Sequence, residues 1–438
     1  EEEETLRDRG QAVSTYNHIS PTLDAIIGGE RQNRPEIRMI GRTPDDESIA
    51  QVKTELYKYI SDSTSSDDEI DKQILDVMVS GRGWINVFPN IINKKFDNIE
   101  HGHIDYRDMF SDPLSKRDDL SDARFVHQAI YTDSDIIEAQ FSEYTGESED
   151  THVFAFESSS EDELWFEHKN RKRPRLISTW FSDENGEIHN AIWTKSQVLY
   201  FDKSPYSVSV YPFAMITYKR DLNNNPYGLV KSMISPQDEV NKRHSKALHY
   251  LNARQVMAEE DAFVDWNDAE KTLAKPDGIT KLRDGTLSEG RIQIVDNTQL
   301  ASVHVNLMEH AKSEIMALAG INESYLGQSG QYSSAKGDAG KIAAAQNTLI
   351  PFLNKLRLMR HRLAKITMYM VNDFYTEEKL VRVLNPQGDY AFMPVNQVSM
   401  LNDGTIKKFN DLSVDDVDII IEDAPSSLND RAEQFNQL

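Results

Sequence analysis

Ser235-Pro236-Gln237-Asp238-Glu239-Val240-Asn241-Lys242-Arg243-His244-Ser245 is the stretch of sequence that decides the fold. Ser235 can cap a helix, Pro236 suits the first helical turn, and the two acids that follow complement the positive end of the helix dipole. The apolar positions on one stripe are Val240, Ala247, Leu248 and Leu251. The pattern predicts a helix to about Met257, and about 23 residues at 1.5 Å rise give a strut of roughly 35 Å.

Downstream of this helix the pattern changes twice. Residues 258–302 form short polar and β-like pieces around the turn Pro276-Asp277-Gly278, and helical spacing resumes from Val303. Residues 327–334 are rich in Gly and Ser, which is typical of a flexible loop. The longest helical pattern follows, and Pro351 should kink it.

Upstream, residues 1–80 carry helical periodicity, with helices expected at 48–60 and 70–79. Residues 84–218 alternate with the period of a strand. Asp183-Glu184-Asn185-Gly186 is the best hairpin signal, because Asn-Gly supplies the positive φ angles of a tight turn. The chain is therefore predicted to be of the α+β class, with an antiparallel sheet region.

Composition excludes several kinds of protein. The 438 residues include 39% apolar residues, no cysteine and no apolar run of about 18 residues, so we expect no disulfide, no thiolate metal site and no membrane span. The net charge of −24 ordinarily argues against nucleic acid as a partner. That argument fails where DNA must slide instead of binding tightly. Both ends look cut, so we expect the chain to be a fragment.

Two long helices are nevertheless locally basic. Residues 240–257 contain Lys242, Arg243, Lys246 and Arg254 and no acid, and residues 341–372 contain Lys341, Lys355, Arg357, Arg360, Arg362 and Lys365 and again no acid. For a single cation, a solvated face or a pairing with an acid is the commoner role. As a group, these side chains indicate a surface that follows phosphates without reading bases.

At these residues the sequence resembles the portal family of tailed double-stranded DNA phages, most closely the short-tailed Salmonella-phage type. The strongest match is Pro226-Tyr227-Gly228-Leu229-Val230 followed by the stretch from Ser235. The supporting matches are Asn33-Arg34-Pro35, Gly81-Arg82-Gly83-Trp84, Asp112-Pro113 with Asp119, Asp122-Ala123-Arg124-Phe125, and Ser334-Ala335-Lys336 leading to Ala345-Gln346. Their order spans about residues 30 to 350.

The resemblance implies a ring of usually twelve subunits around a central channel, with a mixed α/β wing, a helical stem, a small β-containing clip and a long wing or crown helix. The implied regions are 1–234 wing, 235–257 first stem helix, 258–302 clip, 303–325 second stem helix, 326–340 tunnel loop, 341–376 long wing helix and 377–438 wing or crown. Crowns of the family often continue into a C-terminal helical barrel beyond this chain.

The resemblance also implies a function. Double-stranded DNA would be packaged and ejected through the ring, at the unique vertex of the capsid in the virion and in the host cytoplasm during assembly. The implied partners are further copies of the chain, the terminase large subunit, head-completion or tail adaptor proteins, and the major capsid and scaffolding proteins, with no membrane. Candidate DNA contacts are Lys336 and Lys341 near the loop and Lys242, Arg243, Lys246 and Arg254 on the stem.

We expect no catalysis, no cofactor and no metal. A phosphate-binding loop is excluded at Gly340-Lys341, because Ile342 replaces the required Ser or Thr and Ala335 stands where the first glycine belongs.

Three alternatives stay open. His101-Gly102-His103 with Asp105 could ligate zinc in a metal-dependent enzyme, although no third ligand is evident. The acids Asp118, Asp119 and Asp122 could serve a nuclease. A structural capsid or tail ring or adaptor that never contacts DNA would explain long helices equally well.

Overall fold

The structure is a computed structural model of the chain. It describes residues 15–32, 34–92, 95–142, 144, 173–252, 255–259, 261–273, 279–295, 298–321, 335–384, 390–400, 406–410, 412 and 417–422. The chain divides into two compact units. Unit 1 comprises Glu1–Ile26 and Val230–Leu349, and unit 2 comprises Ile27–Leu229 and Ile350–Leu438.

The first elements are three helices and one strand. They are α1 (Ile19–Gln32), β1 (Glu36–Gly41), α2 (Glu47–Ser63) and α3 (Ser66–Ser80). The helices predicted at 48–60 and 70–79 are confirmed as α2 and α3, each slightly longer than expected. Gly81 ends α3 in the left-handed region at φ 95°, where its N–H bonds the Val77 carbonyl at 2.9 Å.

The β region contains two antiparallel sheets. In chain order its elements are β2 (Arg82–Ile92), β3 (Lys95–Ile104), β4 (Met109–Ser111), β5 (Phe125–Tyr131), α4 (Ser134–Gln140), β6 (Arg175–Ser182), β7 (Ile188–Trp193), β8 (Val198–Lys203), β9 (Phe213–Thr217), β10 (Lys219–Arg220) and β11 (Pro226–Tyr227). The sheet orders are β3-β2-β9 and β4-β5-β6-β7-β8, with β10 and β11 as a separate pair. The predicted sheet region is thereby confirmed.

These sheets share one apolar core in unit 2. It is formed by large side chains that the alternating pattern turns inward, among them Trp84, Val126, Trp180 and Phe213. The predicted hairpin joins β6 and β7, and of Asn185 and Gly186 only Gly186 takes a positive φ, of 80°.

A helix pair and a small mixed module follow in unit 1. The elements are α5 (Val230–Asn252), β12 (Gln255–Ala258), α6 (Trp266–Leu273), β13 (Ile292–Val295) and α7 (Thr298–Ala319). The strands β12 and β13 pair antiparallel, and the intervening module has its own small core of Ala262, Phe263 and Ala269.

The bounds predicted for α5 were wrong at both ends. The helix begins at Val230 and contains Pro236 instead of starting at it. Proline withholds one hydrogen bond from the turn before it, and the burial of Met233 and Pro236 compensates for that loss. The helix ends at Asn252, because Val256 and Met257 pair with β13 as a strand.

The bounds of α7 also differ from the prediction of 303–325. The helix begins at Thr298 and ends at Ala319. Gly320, at φ 66°, bonds back to the Ala317 carbonyl, and Ile321 bonds the Met316 carbonyl at 3.1 Å. This pair of bonds is a Schellman cap, which stops a helix.

The chain ends with a long helix and short strand pairs. They are α8 (Ala335–Phe374), β14 (Lys379–Leu384), β15 (Tyr390–Val395), β16 (Gln397–Met400), β17 (Ile406–Phe409) and β18 (Val417–Glu422), with β18 paired to β1. The long helix was expected over 341–376, so residues 335–340 of the predicted tunnel loop are helical. Residues 326–334 of that loop lie outside the described residues.

Candidate DNA interface

The helices α5 and α7 pack against each other, and both bury residues at intervals of seven. These are Met233, Val240 and Ala247 on α5 and Ala301, Met308 and Ile315 on α7, none more than 9% exposed. The antiparallel β12–β13 pair joins the two helices, so they run antiparallel. A seven-residue spacing keeps one face of each helix on its partner, as in a two-stranded coiled coil.

A line of charged side chains occupies the opposite face of α5. Lys231, Asp238, Lys242 and Lys246 are all exposed. At about 100° per residue they fall within an arc of roughly 80°, on the side away from Met233, Val240 and Ala247. We call these four residues the lysine line. Three of its four charges are positive, in a chain whose net charge is −24.

Arg243 lies at the edge of the helix pair and is engaged within it. Its Nε donates to Glu239 Oε1 at 2.5 Å, and its Nη1 lies 3.4 Å from His304 Nδ1. His304 stacks on Tyr250, with ring centroids 5.4 Å apart. Burial lowers the pKa of His304, and the charges of Arg243 and Lys246 lower it further. Arg243 and Lys246 of α5 therefore disfavour the protonated form of a histidine on α7.

The structure describes no side-chain position for the other three candidate DNA contacts. Arg254 lies outside the described residues, and so do the side chains of Lys336 and Lys341, although both lysines belong to α8. Their contact with DNA stays a prediction, as does that of Lys242, Arg243 and Lys246.

The second basic segment, in α8, holds unit 2 together. Lys355 Nζ donates to the carbonyls of Thr217 and Tyr218 at 3.1 and 3.0 Å. Arg362 Nη1 donates to the Met215 carbonyl at 2.9 Å and also to the Asp118 carbonyl. These two cations donate hydrogen bonds to backbone carbonyls of strand β9 and its neighbours. They therefore have a structural role, which is the commoner role of a single cation.

Arg360 forms a buried ion pair. Its Nη2 lies 2.7 Å from Glu30 Oε1, and both side chains are only 4% exposed. Arg34, of the Asn33-Arg34-Pro35 match, bonds the other oxygen of Glu30 at 2.9 Å and Asp71 at 2.6 Å. The charged network fixes α1 against α3 and α8, so Arg360 is no candidate for DNA contact.

Gln237 and Asn241, in the stretch that begins at Ser235, bond the backbone of the residues just before α1. These contacts were not predicted from the sequence. Gln237 Oε1 accepts from the backbone N–H of His18 at 2.9 Å, and Gln237 Nε2 donates to the Tyr16 carbonyl. Asn241 Oδ1 accepts from the N–H of Tyr16 at 3.0 Å. The i, i+4 spacing of two amides on one helix face is the only signal that could have suggested them.

Two of the matched sequence pieces meet in space. A Cβ on Gly81 would lie 2.3 Å from the backbone of Tyr227, and one on Gly228 would lie 2.1 Å from the Met78 carbonyl oxygen. Gly83 is equally close to α3, because its Cβ would lie 2.5 Å from the Gln73 carbonyl oxygen. The end of α3 and the segment leading to α5 therefore touch backbone to backbone.

The structure does not gather the residues of the metal alternative. His101 is 4% exposed, its Nδ1 lies 2.5 Å from Ser66 Oγ and its Nε2 lies 2.8 Å from Thr367 Oγ1. His103 Nε2 pairs with Asp76, and Asp105 pairs with Arg107. Both ring nitrogens of His101 are thus occupied by hydroxyl groups.

The acids that could have served a nuclease accept hydrogen bonds from nearby hydroxyl groups and so stabilise loops. Asp118 Oδ1 accepts from Thr217 Oγ1 at 2.8 Å, Asp119 accepts from Ser121, and Asp122 accepts from Ser115 Oγ at 2.7 Å. Among the described residues, one group has the geometry of a metal site, and it contains none of these acids.

The module between α5 and α7 exposes large apolar side chains. Val264, Trp266, Ile279 and Leu287 are between 50% and 87% exposed. Such a group on a small module is typical of a docking surface. No helix among the described residues is long and apolar enough to cross a membrane.

Comparison with known proteins agrees with the sequence resemblance. The model of the family described as Phage P22-like portal protein matches residues 1–438. A portal protein of Helicobacter pylori bacteriophage KHP30 is 21% identical over 397 residues, which cover 88% of this chain and 63% of that protein. The chain therefore spans less than two thirds of the length of this relative.

Among solved structures, a chain of the virion of a native gene transfer agent particle is similar at a TM-score of 0.36 and 9% identity, covering 80% of this chain and 78% of that one. This structural likeness is too low to bear on function. The family match covers the full sequence and confirms the resemblance to portal proteins. The chain belongs to the P22-like family of phage portal proteins.

Proposed function

We propose that copies of this chain form a ring-shaped channel through which double-stranded DNA is packaged into a phage capsid and later ejected. Membership of the portal family supports the proposal, because portal proteins are structural, non-enzymatic components of phage particles and form oligomeric rings there. The proposed ring has twelve copies and occupies the unique vertex of the capsid, after assembly in the host cytoplasm.

The observation that carries the DNA contact is the lysine line on α5. Exposed cations spaced along one face of a helix of about 35 Å can follow a phosphate backbone without reading bases. Lys231, Lys242 and Lys246 belong to a chain whose net charge is −24, so the chain as a whole repels DNA. Few attractive points on a repelling surface keep binding weak, and weak binding permits sliding.

In this proposal α5 and α7 are the stem, residues 258–297 between them are the clip, and unit 2 forms the wing, with its C-terminal part as wing or crown. Lys336 and Lys341, at the start of α8, would add contacts near the tunnel loop. The exposed Trp266, Ile279 and Leu287 support the clip as the docking surface for the terminase large subunit and for head-completion or tail adaptor proteins. The wing would face the major capsid and scaffolding proteins.

The first experiment measures the mass and symmetry of the purified particle by native mass spectrometry and electron-microscope class averages. We expect a closed ring of about twelve copies with a channel of roughly 20 Å or more, since the major groove alone is about 12 Å wide. A compact closed oligomer without a channel would refute the proposal.

The second experiment tests the lysine line in a packaging reaction. The double variant Lys242→Glu, Lys246→Glu should form rings but package DNA more slowly. Lys58→Glu is the matched control, because Lys58 is an exposed lysine on α2, which belongs to unit 2 and not to the helix pair of unit 1. Equal packaging by the double variant and the control would exclude these lysines and favour a structural ring or adaptor without DNA contact. The internal roles of Lys355, Arg360 and Arg362 already point that way for α8.

A further inference from the structure

Three side chains with metal-binding atoms converge at the turn between β6 and β7. They are Asp183, Glu187 and His189, whose ligand atoms all lie within 4.8 Å of one another. No metal was expected from the sequence, in which Asp183 was noted only as the first residue of the hairpin turn. The group is separate from the portal function and belongs entirely to unit 2.

The turn itself fixes the carboxylate of Asp183. Its Oδ1 accepts from the backbone N–H of Asn185 at 2.9 Å and from that of Glu187 at 2.7 Å. Its Oδ2 makes two long contacts, 3.4 Å from Asn185 Nδ2 and 3.6 Å from His189 Nε2. One oxygen of Asp183 therefore anchors the side chain, while the other has remaining capacity as a ligand.

The imidazole of His189 packs beside two aromatic rings, which also contact each other at 6.1 Å between centroids. Its centroid lies 5.6 Å from that of Phe181 and 6.0 Å from that of Phe201, with interplanar angles of 22° and 8°. His189 Nε2 lies 3.6 Å from Asp183 Oδ2, which is too far for a hydrogen bond. Its buried Nδ1 has no hydrogen-bond partner among the described residues. The ring is thus packed by aromatic side chains, and its Nε2 faces the Asp183 carboxylate.

The third group, Glu187, is occupied by a lysine. Lys203 Nζ lies 2.7 Å from Glu187 Oε1, with the two side chains 56% and 46% exposed. An ion pair this exposed contributes little to stability, so a divalent cation can displace the lysine at small cost.

We propose that Asp183, Glu187 and His189 bind one Zn²⁺ per chain, with water completing the coordination. One imidazole and two carboxylates are ligands that zinc accepts at about 2.0–2.2 Å, and three protein ligands leave a position for water. Such bonds place ligand atoms about 3–3.6 Å apart, so the separation of up to 4.8 Å must close by roughly 1 Å. The exposed Glu187 side chain can make that movement. The ion then ties both strands of the hairpin at the edge of the five-stranded sheet.

The experiment is a calorimetric titration of ZnCl₂ into the full chain after removal of metal with a chelator. His189→Gln and Asp183→Asn should each remove this site or weaken it by more than about tenfold, since even outer-shell changes cost about 10–100-fold. Lys203→Met should strengthen binding, because it frees Glu187. Lys203 is exposed, so this variant tests the proposal without threatening the fold.

His127→Gln is the matched control. His127 also stacks on a phenylalanine, Phe125, at 4.7 Å, but its Nδ1 lies 2.8 Å from Thr179 Oγ1, within hydrogen-bonding distance. This variant should bind Zn²⁺ like the unchanged chain. The proposal is overturned if the His189→Gln and unchanged chains bind Zn²⁺ equally, or if Lys203→Met fails to bind more tightly than the unchanged chain.

Discussion

Replacement of Gly228 by alanine should weaken unit 2 more than its size suggests. The added Cβ would lie 2.1 Å from the Met78 carbonyl oxygen and 2.7 Å from the Val79 carbonyl oxygen. Both are backbone atoms at the end of α3, so no side chain can rotate away. Relief requires about 1 Å of separation between α3 and the segment leading to α5. Overpacking usually costs about 1–3 kcal/mol, and a backbone contact belongs at or above the upper end.

The expected shift in melting temperature follows from the size of the unit. At about 2 cal/mol/K per residue, roughly 300 residues unfold with an entropy near 0.6 kcal/mol/K, so about 3 kcal/mol lowers the melting temperature by about 5 °C. Circular dichroism and tryptophan fluorescence measure it, because Trp84 is fully buried next to Gly83.

Gly28→Ala is the matched control, since its Cβ would meet nothing within 4 Å inside α1. Alanine favours a helix over glycine by up to about 1 kcal/mol, so this variant should melt slightly higher. If Gly228→Ala melts within about 1 °C of the unchanged chain, the backbone contact at Met78 does not exist as described.

Burial lowers the pKa of His101 to about 4, so the fold keeps it neutral. Stability from this group is complete above pH 6.5 and is lost as pH falls toward 4, and His101→Gln should flatten that decline in pH-dependent melting curves. Arg360→Met should cost about 3 kcal/mol in urea unfolding, because it removes the cation from a buried pair, and adding Glu30→Met should recover part of the loss. Gln237→Ala should speed hydrogen exchange at the amide of His18 roughly fivefold, matching about 1 kcal/mol for the lost hydrogen bond.

Each of these has an outcome that contradicts it. An unchanged pH dependence in His101→Gln would mean that other groups cause the decline. A double variant less stable than Arg360→Met alone would show that Glu30 is held mainly by Arg34. For Gln237, the neighbour Asp238→Ala is the control, since Asp238 is exposed, lies about 100° around α5 from Gln237 and should leave exchange at His18 unchanged.

Local patterns predicted most of the helices and the hairpin. Apolar spacing located α2 and α3, and Asn-Gly located the turn between β6 and β7. The same reasoning extended α5 to Met257, although Val256 and Met257 belong to strand β12. Their pairing with residues 292–295 depends on a strand far away in sequence, which no local pattern reports.

The candidate interface was predictable only in part. Helical geometry places Lys242 and Lys246 on an exposed face, and the i, i+4 spacing from Glu239 could have revealed the partner of Arg243. Lys355 and Arg362 could not be judged this way, because they bond backbone carbonyls more than a hundred residues away in sequence. A run of cations therefore predicts local positive charge. It does not show which of those cations form hydrogen bonds or ion pairs inside the fold.

The backbone contacts of Gly81 with Tyr227 and of Gly228 with Met78 have a consequence for the assembly of many copies. Gly228 stands two residues before α5, and no side chain separates its backbone from α3. Side chains can change rotamer, whereas a spacing set by peptide groups in contact has a single value. In a closed ring, any angular error in one subunit is repeated in every copy and adds up around the circle. Backbone contact at this position therefore gives every copy of unit 2 the same spacing between the end of α3 and Gly228.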